Sequence, residues 1–410
     1  MSFTSTSPIS RFWHTVTTPP ATKQHQQKHQ PRSHSSTTKL LNKMFVRSGN
    51  NLPADPRYPD SLEELGYMID AKGQVVSIAP PHSFSPSYIS DSERANEVHR
   101  EALHAGVRRA VKKDLAKLGV RPIYCGGPDG TRLSDEPVKG SPSLPIFTTD
   151  LSEMQNKRDI IVVIGEHNQD PIVWAWRSAM REGGLQEATA VGLVRKLMTL
   201  GFGGLPSRDE AEAAGVAKAG VTTSNRIDSV GAADESSATP GLILLNPGQR
   251  LYSPQLNEAM TQVSWLARPK PNALAQAHKI DNDHNKIPGH YTPYEHVGTF
   301  FDGILDQLIV HESSLRLWIV GISDGAEAFI NYMDAQLHRD HTARIGSMVS
   351  GMAFMEPAHD PTMLKSQTTK TFLHSTGKCW IKSSKPMGTW VNAPGAMKKI
   401  NHPSQEDRYR

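Results

Sequence analysis

Leu315-Arg-Leu-Trp-Ile-Val-Gly-Ile-Ser-Asp-Gly-Ala-Glu-Ala-Phe329 is the stretch on which the fold turns. An apolar run over residues 317–322 enters a Gly-x-Ser-x-Gly turn. Beyond it, Ala326, Phe329, Ile330, Met333 and Leu337 recur at helical spacing. Strand, sharp turn and helix, in that order, are the context a nucleophile elbow requires. Gly321 and Gly325 leave room for a strained turn that lifts Ser323 above a sheet. The fold is therefore expected to be α/β, and Ser323 is either a working nucleophile or a structural turn.

Other segments support the same class. Ile160-Ile-Val-Val-Ile164 and Gly241-Leu-Ile-Leu-Leu-Asn246 are short buried runs, ended by Gly165 and by the Pro247-Gly248 turn. A weaker, Gly-containing run covers 344–352, and a further strand is expected at 378–382. Continuous apolar strands separated by helices indicate an open, mostly parallel sheet covered on both faces. The most convincing helix spans 91–118, capped by Asp91 or Ser92. Its stripe is Leu103, Val107, Val111, Leu115 and Leu118. Arg100, Arg108, Arg109, Lys112, Lys113 and Lys117 line much of the remainder, as a solvated face or as a surface for an anionic partner. Further helices are expected at 172–182, 189–200, 255–265, 296–311 and 326–338, with a short one near Ser61 to Leu65.

The net charge of +4 is unevenly spread. Residues 1–54 carry seven Lys or Arg and no acid, so removing them leaves the rest of the chain at −3. The globular part thus gives no bulk electrostatic case for nucleic-acid binding. Residues 1–43 are rich in Ser, Thr, Gln, His and Pro and read as a disordered basic tail. Within them Ile9, Phe12, Trp13 and Val16 form a short amphipathic pattern resembling a mitochondrial transit peptide. Two cysteines, no apolar run of membrane-spanning length and no secretory h-region point to a soluble, intracellular protein without a membrane partner. Residues 44–390 read as one α/β domain with a probable insertion at 201–239, followed by a short tail at 391–410.

Three constellations carry chemistry. A triad on this elbow needs a base and an acid downstream of Ser323. The candidate bases are His359, His374 and His402, but no acid follows the strand expected at 378–382 until Glu406. Asp324 would lend its N–H to an oxyanion hole, yet its own carboxylate opposes developing negative charge. Second, Gly165-Glu-His-Asn-Gln-Asp170 follows a buried strand. Glu166, His167, Asn168 and Asp170 would therefore share a rim with Ser323, as a ligand loop or as a polar network holding that loop. Third, His278, His284, His290 and His296 recur every six residues, a spacing that matches no usual zinc pattern. No metal site and no cofactor is expected, since neither a phosphate loop nor a dinucleotide fingerprint is present.

Several segments together resemble the Arb-two domain, named for the Argonaute-binding protein two of fungal small-RNA pathways. They are MFVRSGNNLPADPRYPDSLEELGYMID (44–70), ERANEVHREA (93–102), VVIGEHNQD (162–170), LILLNPGQ (242–249), HNKIPGH (284–290) and VGISDGAE (320–327). Relatives of that domain also occur at the C-terminal end of fungal class II histone deacetylases. The resemblance implies an α/β-hydrolase-like, largely non-enzymatic domain with protein partners in Argonaute or chromatin complexes. It implies indirect association with small RNA and a place in the nucleus or cytoplasm, against a mitochondrial one from the tail. The other functional reading is a serine esterase using Ser323 on a small ester. The resemblance fades after about residue 388, where the family usually continues into another strand.

Overall fold

The computed structural model describes residues 52–80, 89–181, 183–200, 239–272, 274–309, 315–386 and 389. The expectations for 1–43, 201–238 and 391–410 lie outside these residues.

A hairpin of β1 (Tyr67–Ile69) and β2 (Val75–Ser77) precedes the long helix Glu93–Lys117. Ser92 caps that helix, its hydroxyl accepting the Ala95 N–H. Six strands then follow in chain order: β3 (Val120–Gly126), β4 (Arg132–Ser134), β5 (Ser143–Thr149), β6 (Asp159–Ile164), β7 (Gly241–Leu245) and the short β8 (Leu251–Ser253). Next come β9 (Glu258–Met260), β10 (Arg316–Ile322), β11 (Val349–Met355) and β12 (Gly377–Trp380). Eight of these form one sheet in the order β12-β11-β10-β6-β7-β5-β3-β4. The five strands from β12 to β7 are parallel, whereas β5, β3 and β4 continue the sheet antiparallel. The fold is α/β, with a mixed, mostly parallel sheet between helices, and its wiring is α/β-hydrolase-like.

The parallel strands read as unbroken apolar runs because each face of the sheet has its own core. Ile160, Val162 and Ile164 join Leu317, Ile319, Phe329, Ile330 and Met333 on one side. Ile161 and Val163 join Val107, Val111 and Leu115 on the other. Period two along the strand thus sends alternate residues into opposite layers. Full burial of each such side chain contributes about 2 kcal/mol before entropy is counted.

The antiparallel half went unread because β3 and β5 contain Pro122 and Pro145. Both prolines pair across the β3–β5 ladder, Pro122 opposite Phe147 and Pro145 opposite Tyr124, but the other neighbour of each strand does not reach them. β4 pairs only with Tyr124 to Gly126, and β7 pairs only with Phe147 and Thr148. Neither proline therefore removes a ladder donor from that neighbour, and the usual objection to proline in a sheet lapses. Four other expectations are corrected. Ser61 to Leu65 makes turns ended by Gly66 (φ 83°), not a helix. Residues 255–265 contain β9 and then the helix Gln262–Ala267. Residues 344–352 begin with the helix Arg344–Met348 before entering β11, and the helix expected at 172–182 covers only Trp176–Ala179.

Candidate functional site

The elbow forms where β10 meets the helix Asp324–Arg339. Ser323 sits between them at φ 51°, ψ −121°, backbone that L-residues rarely adopt. Its N–H donates to Met355 O at 2.8 Å, and its carbonyl accepts the Ala326 N–H at 3.1 Å. Both glycines are required by close approach. A Cβ on Gly321 would lie 2.6 Å from Ala326 Cα, and one on Gly325 would lie 2.2 Å from Gly165 O. The Gly-x-Ser-x-Gly spacing therefore records how tightly the helix start packs on β10 and on the end of β6. Ser323→Gly is expected to release strain and raise stability by about 1 kcal/mol, measured as a shift in the urea midpoint.

At this rim His167 and Asp324 meet. The His167 N–H donates to Asp324 Oδ2 at 3.1 Å and to Oδ1 at 3.2 Å. The ring closes on the same carboxylate, with Nδ1–H donating to Oδ2 at 2.6 Å. Asn168 Nδ2 lies 2.6 Å from His167 Nε2, so both ring nitrogens are engaged. In an acyl-transfer elbow, the amide after the serine and an amide from the loop after a neighbouring strand hold the oxyanion. Here the loop amide is engaged by the carboxylate of Asp324, and neither nitrogen of His167 is left open as a base.

Two further rim residues escaped the sequence reading. Glu356, at φ 47° just past β11, and Asp324 both act on Glu166. Burial first, and these carboxylates next, push Glu166 above the usual carboxylate range. Arg250, which follows the Pro247-Gly248 turn beyond β7, feels Asp324 and donates from Nη1 to Tyr291 O. Among the described residues its buried Nε has no partner. Its place just past the carboxyl end of a parallel strand was the signal that could have found it.

Of the three candidate bases, two lie among the described residues, and neither hydrogen-bonds the serine. Among the described residues no histidine hydrogen-bonds Ser323 Oγ. His359 is half-buried with neither ring nitrogen partnered, and burial holds it below the usual histidine range. His374 lies exposed on the helix Gln367–Thr376. His402 lies outside the described residues. The β12 end, where a triad acid was sought, is followed by Ile381-Lys-Ser-Ser-Lys-Pro386, which contains none.

Asp170 is not on the rim; it is buried. Its Oδ1 accepts the N–H groups of Ile172 and Val173 at 3.0 and 3.3 Å, and its Oδ2 accepts Gln249 Nε2 at 3.0 Å. Arg108 Nε stands 3.8 Å from Oδ2 and pairs more closely with Glu101, at 2.6 Å, so it leaves the solvated face expected for it. From Gln249 a chain of bonds crosses the core. Asn246 Nδ2 donates to Gln249 Oε1 (3.0 Å) and to Pro145 O (2.8 Å), and the Asn246 N–H donates to His296 Nε2 (3.1 Å). An accepting Nε2 makes His296 an Nδ1–H donor, to His290 Nδ1 at 2.7 Å. His290 in turn donates from Nε2 to Gly130 O at 3.0 Å. Three of the quoted segments, GEHNQD, LNPGQ and HNKIPGH, thus converge in one network that fastens the rim loops from beneath.

Both histidines of that chain are neutral. Burial lowers His290 to about 4 and His296 well below its ordinary value. The unfolded chain takes up protons near pH 6.5, whereas the folded chain resists until about pH 4. Their contribution to stability is therefore complete above 6.5 and is lost as pH falls from there toward 4. We expect the urea midpoint to drop over that window, and the drop to shrink in His290→Gln.

Among the described residues no group of three or more His, Cys, Asp or Glu could hold a metal ion. No helix among them is long and apolar enough to cross a membrane.

A hydrolase-like sheet with a strained serine elbow on its carboxyl edge defines the class: this is an α/β-hydrolase-like domain. More particularly, the chain belongs to the Arb2 domain family, whose model matches residues 58–387, most of its length. No curated protein and no solved structure matches it.

Proposed function

We propose that this domain is a non-catalytic interaction module of Argonaute-binding type, acting in small-RNA-directed silencing or heterochromatin assembly. The carrying observation is the carboxylate of Asp324 on the His167 amide and ring. An anion already occupies the donor that an acyl-transfer site keeps for its oxyanion, and among the described residues no histidine hydrogen-bonds the serine beside it. Removing one oxyanion donor alone costs about a hundredfold or more in rate. The elbow here is a scaffold feature: it sets the rim on which a partner protein is recognised.

Family membership supports the partner class, with small RNA reached through the Argonaute protein and not by direct contact. The domain then works in the nucleus or cytoplasm. A reporter fused to residues 1–43 tests the mitochondrial alternative, which import of the reporter would favour.

Purification of the full chain from its native cell is expected to recover an Argonaute protein with small RNA, or a chromatin-modifying complex. Ser323→Ala is expected to recover the same partners in equal yield. Loss of the partners in Ser323→Ala, with the fold intact, would count against a scaffolding role for the elbow.

A further inference from the structure

A second cavity, of about 210 Å³, lies away from the elbow on the face of the sheet that carries the helix Glu93–Lys117. Tyr124 of β3 and Ser143 of β5 line it, Lys112 of the helix reaches it, and Glu258 of β9 completes it. Its position is the carboxyl end of β3, on the same edge as the ends of β6, β7 and β10, where open α/β sheets place ligands.

Among the described residues four of its groups lack partners. Ser143 is 6 % exposed, and its Oγ is buried without a hydrogen bond. A buried hydroxyl left so costs free energy unless a ligand or water completes it. Lys112 and Glu258 carry opposite charges around one small space. Among the described residues, their side chains form no ion pair with each other or with any other group. The Tyr124 hydroxyl makes no hydrogen bond among the described residues either, and burial with Glu258 and Glu136 nearby raises its pKa, so it remains a donor. Pro137, Pro145, Leu256 and Ala259 supply apolar wall between these groups.

The walls are preformed. Asn257, at φ 51°, accepts Tyr252 OH at 2.6 Å and donates from Nδ2 to Pro137 O at 3.3 Å. The Gly140 N–H donates to Tyr252 OH at 3.1 Å. The loop before β5 and the β8–β9 hairpin are thereby tied together across the mouth, and little ordering is left for a ligand to impose.

We propose that this cavity binds a small zwitterion, an α-amino acid with an apolar side chain. Its carboxylate meets Lys112, Tyr124 OH and Ser143 OH, its ammonium meets Glu258, and its side chain meets the proline and leucine wall. The cavity of about 210 Å³ has room for a molecule of that size.

Isothermal titration calorimetry of the full chain with L-valine, L-leucine, L-proline and L-methionine tests this. At least one is expected to bind saturably. Lys112→Met and Glu258→Gln are each expected to weaken it about tenfold or more, the scale of one charge-assisted hydrogen bond. For leucine, 4-methylpentanoate and 3-methylbutylamine, which each lack one charge, should show a comparable loss. Ser143→Ala is expected to weaken binding less than either charge variant. Lys112 and Glu258 are not buried, so both charge variants should fold, and thermal denaturation checks that they do. No saturable binding by any of the four overturns the proposal. So does undiminished binding by Lys112→Met, or binding of 4-methylpentanoate equal to that of leucine, which would mark a plain anion site.

Discussion

Gly325→Ala is expected to destabilise the domain by about 3 kcal/mol or more, at the upper end of overpacking penalties. The new Cβ would lie 2.2 Å from Gly165 O and 2.6 Å from Ile164 O. Both are backbone atoms, so no side chain can swing aside. Either the helix Asp324–Arg339 slides off the end of β6 or the loop after β6 moves, and the His167–Asp324 pair separates in both cases. Gly165→Ala is the matched control. A Cβ there meets nothing within 4 Å, and it should stay within about 0.5 kcal/mol of the parent. Urea unfolding of the two variants checks the pair of results. Equal midpoints for both would mean that the close approach of helix and strand is not real.

Asp170→Ala is expected to cost about 3–5 kcal/mol, because it removes the acceptor of Gln249 and of two buried amides and one of the two carboxylates beside Arg108, which keeps Glu101. Asp170→Asn should cost less. Burial is the largest influence on this carboxyl and holds it above the usual carboxylate range, so its charge is only partly compensated by Arg108 at 3.8 Å. A double-mutant cycle with Arg108→Met separates the two contributions. If the ion pair dominates, the double variant recovers part of the Asp170→Ala loss. If the amide and Gln249 bonds dominate, the two losses add.

What the sequence revealed follows from how local the signals are. β6, β7 and β10 were legible because strands buried on both faces show as unbroken apolar runs, and the elbow was legible because its glycines are spaced by the turn itself. β3 and β5 were not, since each carries a proline, Pro122 or Pro145, that is tolerated because β4 and β7 pair elsewhere along the strand. The rim was half legible. Glu166, His167 and Asn168 were placed beside Ser323 from their position after β6. That Asp324 reaches across 157 residues to the His167 amide is a matter of side-chain geometry, and no spacing rule carries it. Asp170 shows the same limit from the other side: its residue type suited a rim, but Gln249, Ile172 and Val173 draw it into the core. The histidines at 290 and 296 likewise matched no metal spacing, and their pairing with Asn246 became visible only once β7 and the following turn were in place.

On the proposed reading Asp324 occupies the anion site, and among the described residues no histidine hydrogen-bonds Ser323. Intact-mass measurement after exposure of the full chain to a fluorophosphonate tests it most directly. An unmodified mass is expected for the parent and for Ser323→Ala alike. An adduct on the parent that is absent from Ser323→Ala would contradict it and make the elbow a working nucleophile.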